Sequence, residues 1–307
     1  MREYSIRSSQ LRNLKNSLFL KEIIVGLLTI GFGVALLVLF IVGDVAYNDN
    51  SLNNAFFKTI YDSAFFTTLI YIFIVLIIGI AIFITIFVIK RDNKFFHNRY
   101  LEYIFEECKL NDIYYKFRKK TFDKSLFEEL EELVSVKDIE RIFEISDVST
   151  ERYIEYNQIR YKKSGSVSNG VLIVLRNSEP LEGFFQIRTR GEPSKNDYEG
   201  KTIHRFGFQK TFPTYDVFSS LGSSTYKIAN DEFDHLINDF KRFVRCNFVI
   251  TRLNSTISIF LETFQFNLTS DLLSSYHEKD FDNKVDAMIR LHELTDEIIN
   301  KLLSLKI

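Results

Sequence analysis

The sequence is poor in the residues that usually mark a metal-binding or disulfide-bonded protein. It contains two cysteines, five histidines and no tryptophan. Cys108 and Cys246 are isolated, so no Cys-x-x-Cys pair is present. No two histidines have the i, i+4 or i, i+2 spacing that a metal site uses. The sequence therefore predicts no metal site, no cofactor and no disulfide framework.

Nucleotide-binding and hydrolase motifs are also missing. The chain has no Gly-x-Ser-x-Gly, no P-loop and no Gly-x-Gly-x-x-Gly. The segment around Gly165 and Gly170 contains glycine, but no Lys-Ser or Lys-Thr pair follows it. That pattern favours an ordinary loop over a phosphate cradle. We predict no catalytic residue and a protein that is not an enzyme.

An excess of one charge is lacking as well. The net charge is −1, and positive and negative residues are mixed throughout the part that follows residue 90. A nearly neutral domain has no overall field that would hold a polyanion. We therefore predict no nucleic-acid partner.

Two long uncharged runs dominate the N-terminal third, at residues 23–42 and 64–89. A helix of twenty residues spans about 30 Å, which is the hydrocarbon thickness of a bilayer. A signal peptide is disfavoured because the first run is long for a signal sequence and a second run follows it. The sequence predicts a transmembrane hairpin over 23–89, with the lipid bilayer as its partner.

Basic residues flank both outer ends of this hairpin, whereas its connecting loop, 43–63, holds one base, Lys58. The positive-inside rule then places both termini in the cytoplasm. Residues 1–22 are a basic cytoplasmic lead. We predict a multi-pass protein of the inner (cytoplasmic) membrane with two spans.

Small residues line one side of the first span. Gly26, Thr29 and Gly33 have i, i+3 and i+7 spacing, which lets a second helix approach closely. The neighbour is either the second span of the same chain or another copy of the protein. The sequence leaves both alternatives open.

The remainder of the chain divides into three parts. Residues 90–135 form a predicted helical stalk and connector, 136–275 an α+β cytoplasmic domain, and 276–307 a C-terminal amphipathic helix. Runs rich in aromatic and β-branched residues predict strands without intervening long helices, which favours a mostly antiparallel sheet. The predicted strands are 139–148, 152–162, 170–176, 183–190, 202–209, 214–218, 247–253 and 256–264, and a helix is predicted at 231–244.

An apolar stripe with heptad-like spacing runs along the C-terminal helix, from Phe281 to Leu305. It fits packing on the sheet or the stalk of the same chain, which we favour, and it also fits a coiled coil with a partner. Separately from this helix, we expect self-association or binding of another protein.

One group of basic residues suggests an anion-binding site: Arg188, Arg190, His204, Arg205 and Lys210. If the strands 183–190 and 202–209 pair, these side chains converge on one face of the sheet. A nucleotide or a lipid headgroup is the ligand that such a face would bind. An ordinary solvated face, with nearby acids offsetting the charge, is the interpretation that we favour.

Two local motifs resemble a known family. They are Glu182-Gly183-Phe184-Phe185 on a strand after a turn, and a segment containing Phe208, Lys210, Phe212, Tyr215 and Asp216. With the helix at 231–244 and the strand at 256–262, they are similar to the bacterial domain-of-unknown-function family 3137. The resemblance covers roughly residues 90–275 and implies two N-terminal spans and a cytoplasmic α+β domain, without a known activity.

These features lead to two functional hypotheses. The first is a non-enzymatic, membrane-anchored interaction module that acts as a scaffold, adaptor or sensor. The second is a membrane effector whose soluble domain senses a ligand and whose spans oligomerise to perturb the membrane. That layout occurs in some bacterial anti-phage systems, which is an analogy of architecture alone.

Overall fold

The computed structural model describes most of the chain. The described residues are 5–48, 64–118, 136–147, 152–176, 181–189, 197–198, 201–202, 204–206, 214–219, 230–266, 268 and 277–304. They fall into two compact units. The first comprises Met1–Tyr103 and Thr269–Asp280, and the second comprises Ile104–Leu268 and Phe281–Ile307.

Four helices are described: α1 (Ser5–Asn48), α2 (Ala64–Lys109), α3 (Asp231–Val244) and α4 (Glu278–Leu303). The strands of the first half are β1 (Tyr115–Arg118), β2 (Lys137–Asp147), β3 (Ile154–Lys163), β4 (Ser166–Leu175) and β5 (Leu181–Thr189). The others are β6 (Asp197–Tyr198), β7 (Lys201–Thr202), β8 (His204–Phe206), β9 (Tyr215–Ser219), β10 (Phe248–Asn254) and β11 (Thr256–Glu262).

The first unit is built on an antiparallel pairing of α1 and α2. The contacting pairs, in order along α1, are Lys15 with Phe96, Lys21 with Asp92, Thr29 with Thr85, and Gly33 with Ile78. The residue number on α2 falls as that on α1 rises. One register therefore holds over about five turns of each helix.

Both helices are long and apolar enough to cross a membrane. They contain 44 and 46 residues, and their most apolar windows are 6% and 0% buried. The core helix of a soluble protein would be mostly buried. The outward apolar surface of this hairpin confirms the prediction of two long apolar helices.

The second unit contains one large sheet. Among the described residues it has nine strands in the order β1-β2-β3-β4-β11-β10-β5-β9-β8, and every neighbouring pair is antiparallel. The hairpin of β10 and β11 is inserted between β4 and β5. The predicted antiparallel sheet is thus confirmed, and β6 and β7 form a separate two-stranded ribbon.

Helices α3 and α4 cover one face of this sheet. The Phe240 ring of α3 contacts Phe248 of β10, with centroids 5.6 Å apart. On α4, His292 lies 3.0 Å from the Tyr156 hydroxyl, and the Leu302 carbonyl accepts a hydrogen bond from Arg252. This face is called the helix-covered face below.

The apolar stripe of α4 is buried within the chain. Its described members, from Phe281 to Leu302, are between 0% and 5% exposed. The structure therefore favours the intramolecular alternative for this helix over a coiled coil. Leu305 lies outside the described residues.

The predicted helical stalk is present, but the connector after it contains a strand that was not predicted. Helix α2 ends at Lys109, and residues 115–118 form the edge strand β1. The sequence pattern did not predict β1 because four residues are too few for a periodicity. Contacts hold it in place: Tyr115 and Phe117 both pack against Phe105. Residues 119–135, the rest of the predicted stalk and connector, lie outside the described residues.

Candidate functional site

The structure distributes the predicted anion-binding residues over two strands. Arg188 lies on β5, and His204 and Arg205 lie on β8. Arg190 and Lys210 are outside the described residues. The two strands are not neighbours, because β9 lies between β5 and β8.

Arg188 belongs to the buried interior of the sheet. Its side chain is 3% exposed, and its Nε donates a hydrogen bond of 2.5 Å to Oε1 of Gln186. The Gln186 amide in turn donates to Oγ1 of Thr251 at 2.9 Å. Asp216, itself 6% exposed, is opposite Arg188 in the register of β5 and β9. Its buried hydrogen bonds and the carboxylate opposite give Arg188 a structural role in the sheet.

A second buried polar cluster lies on the same face, at the other end of the sheet. Arg141 donates to Glu144 at 2.9 Å, and Ser146 donates to the other oxygen of Glu144 at 2.8 Å. The Tyr153 hydroxyl also donates to Glu144, at 3.0 Å. Glu144 therefore accepts three hydrogen bonds, which offset the cost of burying its charge.

Glu155 adds a titratable group to this cluster. Burial raises the pKa of its carboxyl group above the usual value, and the Arg176 guanidinium, 3.6 Å away, acts in the opposite direction. Polar residues at alternate positions of β2 and β3 look solvent-facing in the sequence. Only the structure shows that this face is buried.

Tyr115, Tyr156, His292 and Asp147 form a cluster of titratable groups on the helix-covered face. The Tyr115 ring centroid lies 5.8 Å from those of Tyr156 and His292, and His292 Nε2 lies 3.8 Å from Oδ2 of Asp147. Burial raises the pKa of both tyrosines well above the usual value. The phenols therefore stay neutral at physiological pH, and the cluster joins α4 to three strands.

The two thiols are poorly suited to nucleophilic chemistry. Burial raises the pKa of Cys108 to about 12, assisted by the nearby Glu107 carboxylate. Burial and Glu262 likewise raise the pKa of Cys246 to about 12. A thiol with such a pKa is almost entirely protonated at pH 7, and the thiolate is the reactive form.

Among the described residues, no group of three or more His, Cys, Asp or Glu side chains is arranged to hold a metal ion.

An open cleft separates α3 from α4. Its volume is about 460 Å³. Two buried leucines contribute to its lining, Leu236 from α3 and Leu294 from α4. Most of the other lining residues are charged, with both signs present: Glu232, Asp239, Arg290, Glu297 and Lys301. The two leucines are 9% and 1% exposed, so the surface that a partner would contact is supplied by the surrounding charged and polar side chains.

One ion pair crosses the cleft. Lys301 Nζ of α4 lies 2.7 Å from Oε2 of Glu232 of α3. Both side chains are substantially exposed, so this pair contributes little to stability. A charged partner can replace either member at small cost.

The predicted helix-packing residues occupy different positions in the hairpin. The Thr29 hydroxyl lies 3.0 Å from that of Thr85, and a Cβ placed on Gly33 would meet Ile78 at 3.9 Å. A Cβ on Gly26 would meet nothing within 4 Å. Thr29 and Gly33 thus face α2, whereas Gly26 has open space beside it.

Comparison with known proteins identifies no relative from which a function can be transferred. No family model matches the chain, and no curated protein sequence matches it. Among solved structures, the chain is similar to the mycobacterial trehalose monomycolate transport factor A, TtfA. The identity is 8% and the TM-score 0.33, over 62% of this chain and 93% of that chain. Similarity at this level supports no inference about function.

Proposed function

We propose that the chain is a non-enzymatic interaction module anchored in a membrane by the α1–α2 hairpin. The observation that carries this proposal is the exposed apolar surface of both helices. Most large apolar side chains between Ile23 and Val42, and between Tyr71 and Phe87, are exposed. Soluble monomers rarely expose apolar patches above a few hundred Å², so a bilayer is the natural environment of this hairpin.

The charge distribution supports an inner (cytoplasmic) membrane location with both termini in the cytoplasm. Residues 5–22 and 90–103, which flank the apolar runs, carry a clear excess of bases over acids. The loop side of the hairpin carries few bases. The positive-inside rule then places the sheet domain in the cytoplasm.

Membrane insertion and orientation have a direct test. The full chain should remain in the membrane pellet after alkaline extraction, and only detergent should release it. An alkaline phosphatase fused after Ile307 should be inactive, because this enzyme requires the periplasm. Release of the chain by alkali alone would contradict insertion, and an active fusion would contradict the orientation.

The proposed docking surface for a protein partner is the cleft between α3 and α4. It presents charged side chains of both signs, and it opens to solvent in the folded domain. The buried polar clusters on the opposite face support this choice, because their hydrogen bonds are made within the sheet.

A charge reversal in the cleft tests this surface. Glu297→Lys should weaken recovery of a bound partner by roughly tenfold or more, because a like-charge juxtaposition across an interface costs several kcal/mol. The readout is quantitative pull-down in mild detergent. Glu140→Lys, an equal charge change at an exposed position of β2, is the matched control. Equal losses in both variants would contradict a role for the cleft.

The proposed layout, two spans followed by a cytoplasmic α+β domain, is also the layout of family 3137. Membership in that family remains part of the proposal. It adds no substrate and no catalytic residue, which is consistent with an interaction module.

The second candidate function, an oligomerising membrane effector, has one observation in its favour. Gly31 and Ala35 are exposed on α1, and a Cβ on Gly31 would meet nothing within 4 Å. This pair of small residues does not pack against α2, so a helix from a second copy of the protein could pack closely against it.

Overexpression separates this candidate from a plain anchor. An effector should arrest growth, and Gly31→Leu should abolish the arrest while leaving the hairpin contacts intact. Absence of growth arrest with the wild-type chain, or an unchanged arrest with Gly31→Leu, would count against the effector.

A further inference from the structure

We propose that a band of basic residues around the cytoplasmic end of the hairpin binds the phosphate groups of anionic phospholipids. The band consists of Lys21 of α1 with Lys90, Arg91 and Lys94 of α2, and it is called the basic collar below. This inference rests on the membrane insertion proposed above.

The level of the collar follows from the helix register. The uncharged run of α1 begins after Glu22, and that of α2 ends before Lys90. In the structure, the Lys21 ammonium contacts the Asp92 carboxylate at 2.7 Å. The ends of the two apolar runs, defined independently in the sequence, therefore lie at one level of the hairpin. The collar lies where lipid headgroups would meet the protein.

The charges of the collar are concentrated and accessible. Lys90, Arg91 and Lys94 fall within an arc of about 100° on α2, because a helix turns 100° per residue. All three are exposed, and the side chain of Arg91 is 59% exposed. The arginine can donate two parallel hydrogen bonds to a phosphate, and the two lysines add compact positive charges on the same arc.

Asp92 brings the two helices' bases together. Its side chain is 6% exposed and contacts the ammonium of Lys21 at 2.7 Å and Nε of Arg91 at 3.3 Å. Burial opposes ionisation of this carboxyl, but the two cations outweigh it and hold its pKa below the usual value. One buried carboxylate thus pairs with a cation from each helix, whereas Lys90 and Lys94 lie on the opposite side of α2.

The charge balance around the collar attracts anions. Residues 5–22 and 90–103 contain eight Lys or Arg against three Asp or Glu. Clusters of four to eight bases directly beside a membrane span are typical of binding to anionic lipids, at about fivefold in affinity for each base. Zwitterionic lipids offer the same phosphate without net charge, so the collar should select against them.

Native mass spectrometry of the full chain tests this site. The protein is released from micelles that contain equal amounts of phosphatidylglycerol and phosphatidylcholine. The wild type should retain phosphatidylglycerol in excess. Replacing Lys90, Arg91 and Lys94 together by Gln should lower the ratio of retained phosphatidylglycerol to retained phosphatidylcholine by at least tenfold.

Two further variants control this measurement. Neutralising Lys116, Lys137 and Arg160, which are exposed on the sheet domain, removes the same charge elsewhere and should leave the ratio unchanged. Asp92→Asn frees one net positive charge at the collar and should raise the ratio. Equal ratios in the wild type and both triple variants would overturn the proposal.

A separate arm distinguishes a lipid from a free anion. Inorganic phosphate is added in place of chloride at constant ionic strength, and retention of phosphatidylglycerol should fall less than twofold. Complete displacement by phosphate would overturn lipid specificity. If the chain is soluble without detergent, the proposed membrane insertion is wrong. If it requires detergent but shows no lipid preference, only the proposed lipid binding by the collar is wrong.

Discussion

At the scale of single residues, burial decides what a side chain does. Arg188 and Arg91 are both basic and both stand in strongly charged stretches of sequence. Arg188 is 3% exposed and hydrogen-bonded within the sheet, whereas the side chain of Arg91 is 59% exposed at the end of an apolar run. The same side chain is a structural element in one place and a candidate phosphate ligand in the other.

Gly170 shows how tightly the sheet packs at one point. A Cβ at this position would lie 2.6 Å from the Leu261 carbonyl oxygen and 3.1 Å from Cε1 of Tyr161. The first of these neighbours is backbone of the adjoining strand β11, so relief requires the two strands to separate. Glycine is therefore required here by space.

We expect Gly170→Ala to lower the free energy of unfolding by about 1–3 kcal/mol, the usual cost of overpacking a core. Urea denaturation in mild detergent, followed by tyrosine fluorescence, measures it. Val167→Ala, at a side chain that is 61% exposed on the same strand, should cost under about 0.5 kcal/mol. Equal effects of the two substitutions would contradict the steric explanation.

At the scale of elements, α3 shows that local sequence is sufficient for some parts of the fold. Asn230 adopts an extended backbone, and its Oδ1 accepts a hydrogen bond of 2.9 Å from the Phe233 amide. Asp231, Glu232 and Asp234 in the first turn, and Lys241 and Arg242 in the last, complement the helix dipole. These determinants all lie within or beside the helix.

Asn230→Ala should therefore destabilise the domain by about 1 kcal/mol, because the cap of the Phe233 amide is lost. Asn230→Ser, which keeps a capping oxygen, should cost much less. Both variants can be compared by their urea midpoints at constant m-value. A serine variant as unstable as the alanine variant would show that the cap has no energetic role.

At the scale of the whole molecule, the chain consists of two compact units with different surfaces. The hairpin unit exposes its apolar side chains, whereas the sheet unit encloses a core of its own. A central part of that core is the buried cluster containing Ile159, Leu172, Val249 and Phe260. A unit with an internal core can bury its apolar residues without a membrane.

We therefore expect residues 104–307, expressed without the preceding helices, to be soluble without detergent and to unfold cooperatively. Circular dichroism should show mixed helix and strand content with a single thermal transition. The full chain, by contrast, should aggregate when detergent is removed. An aggregated or non-cooperative fragment would show that the sheet unit depends on the hairpin.

The sequence by itself determined the features that depend on neighbouring residues. Two uncharged runs of sufficient length fix the two apolar helices, because helix length and side-chain polarity are local properties. The bounds of α3 were predicted as observed, and most strands were predicted within a few residues. Period-2 and period-3.6 patterns, together with turn and capping residues, supply that information.

The tertiary structure decided everything that depends on distant partners. No local pattern places the β10–β11 hairpin between β4 and β5, since strand order is set by how the faces pack in three dimensions. No local pattern places β9 between the two strands of the predicted anion site, and none predicts the burial of Arg188. The level at which Lys21 contacts Asp92 also depends on how the two helices pack. Periodicity tells which side of an element is apolar, but only the packed chain determines what that side contacts.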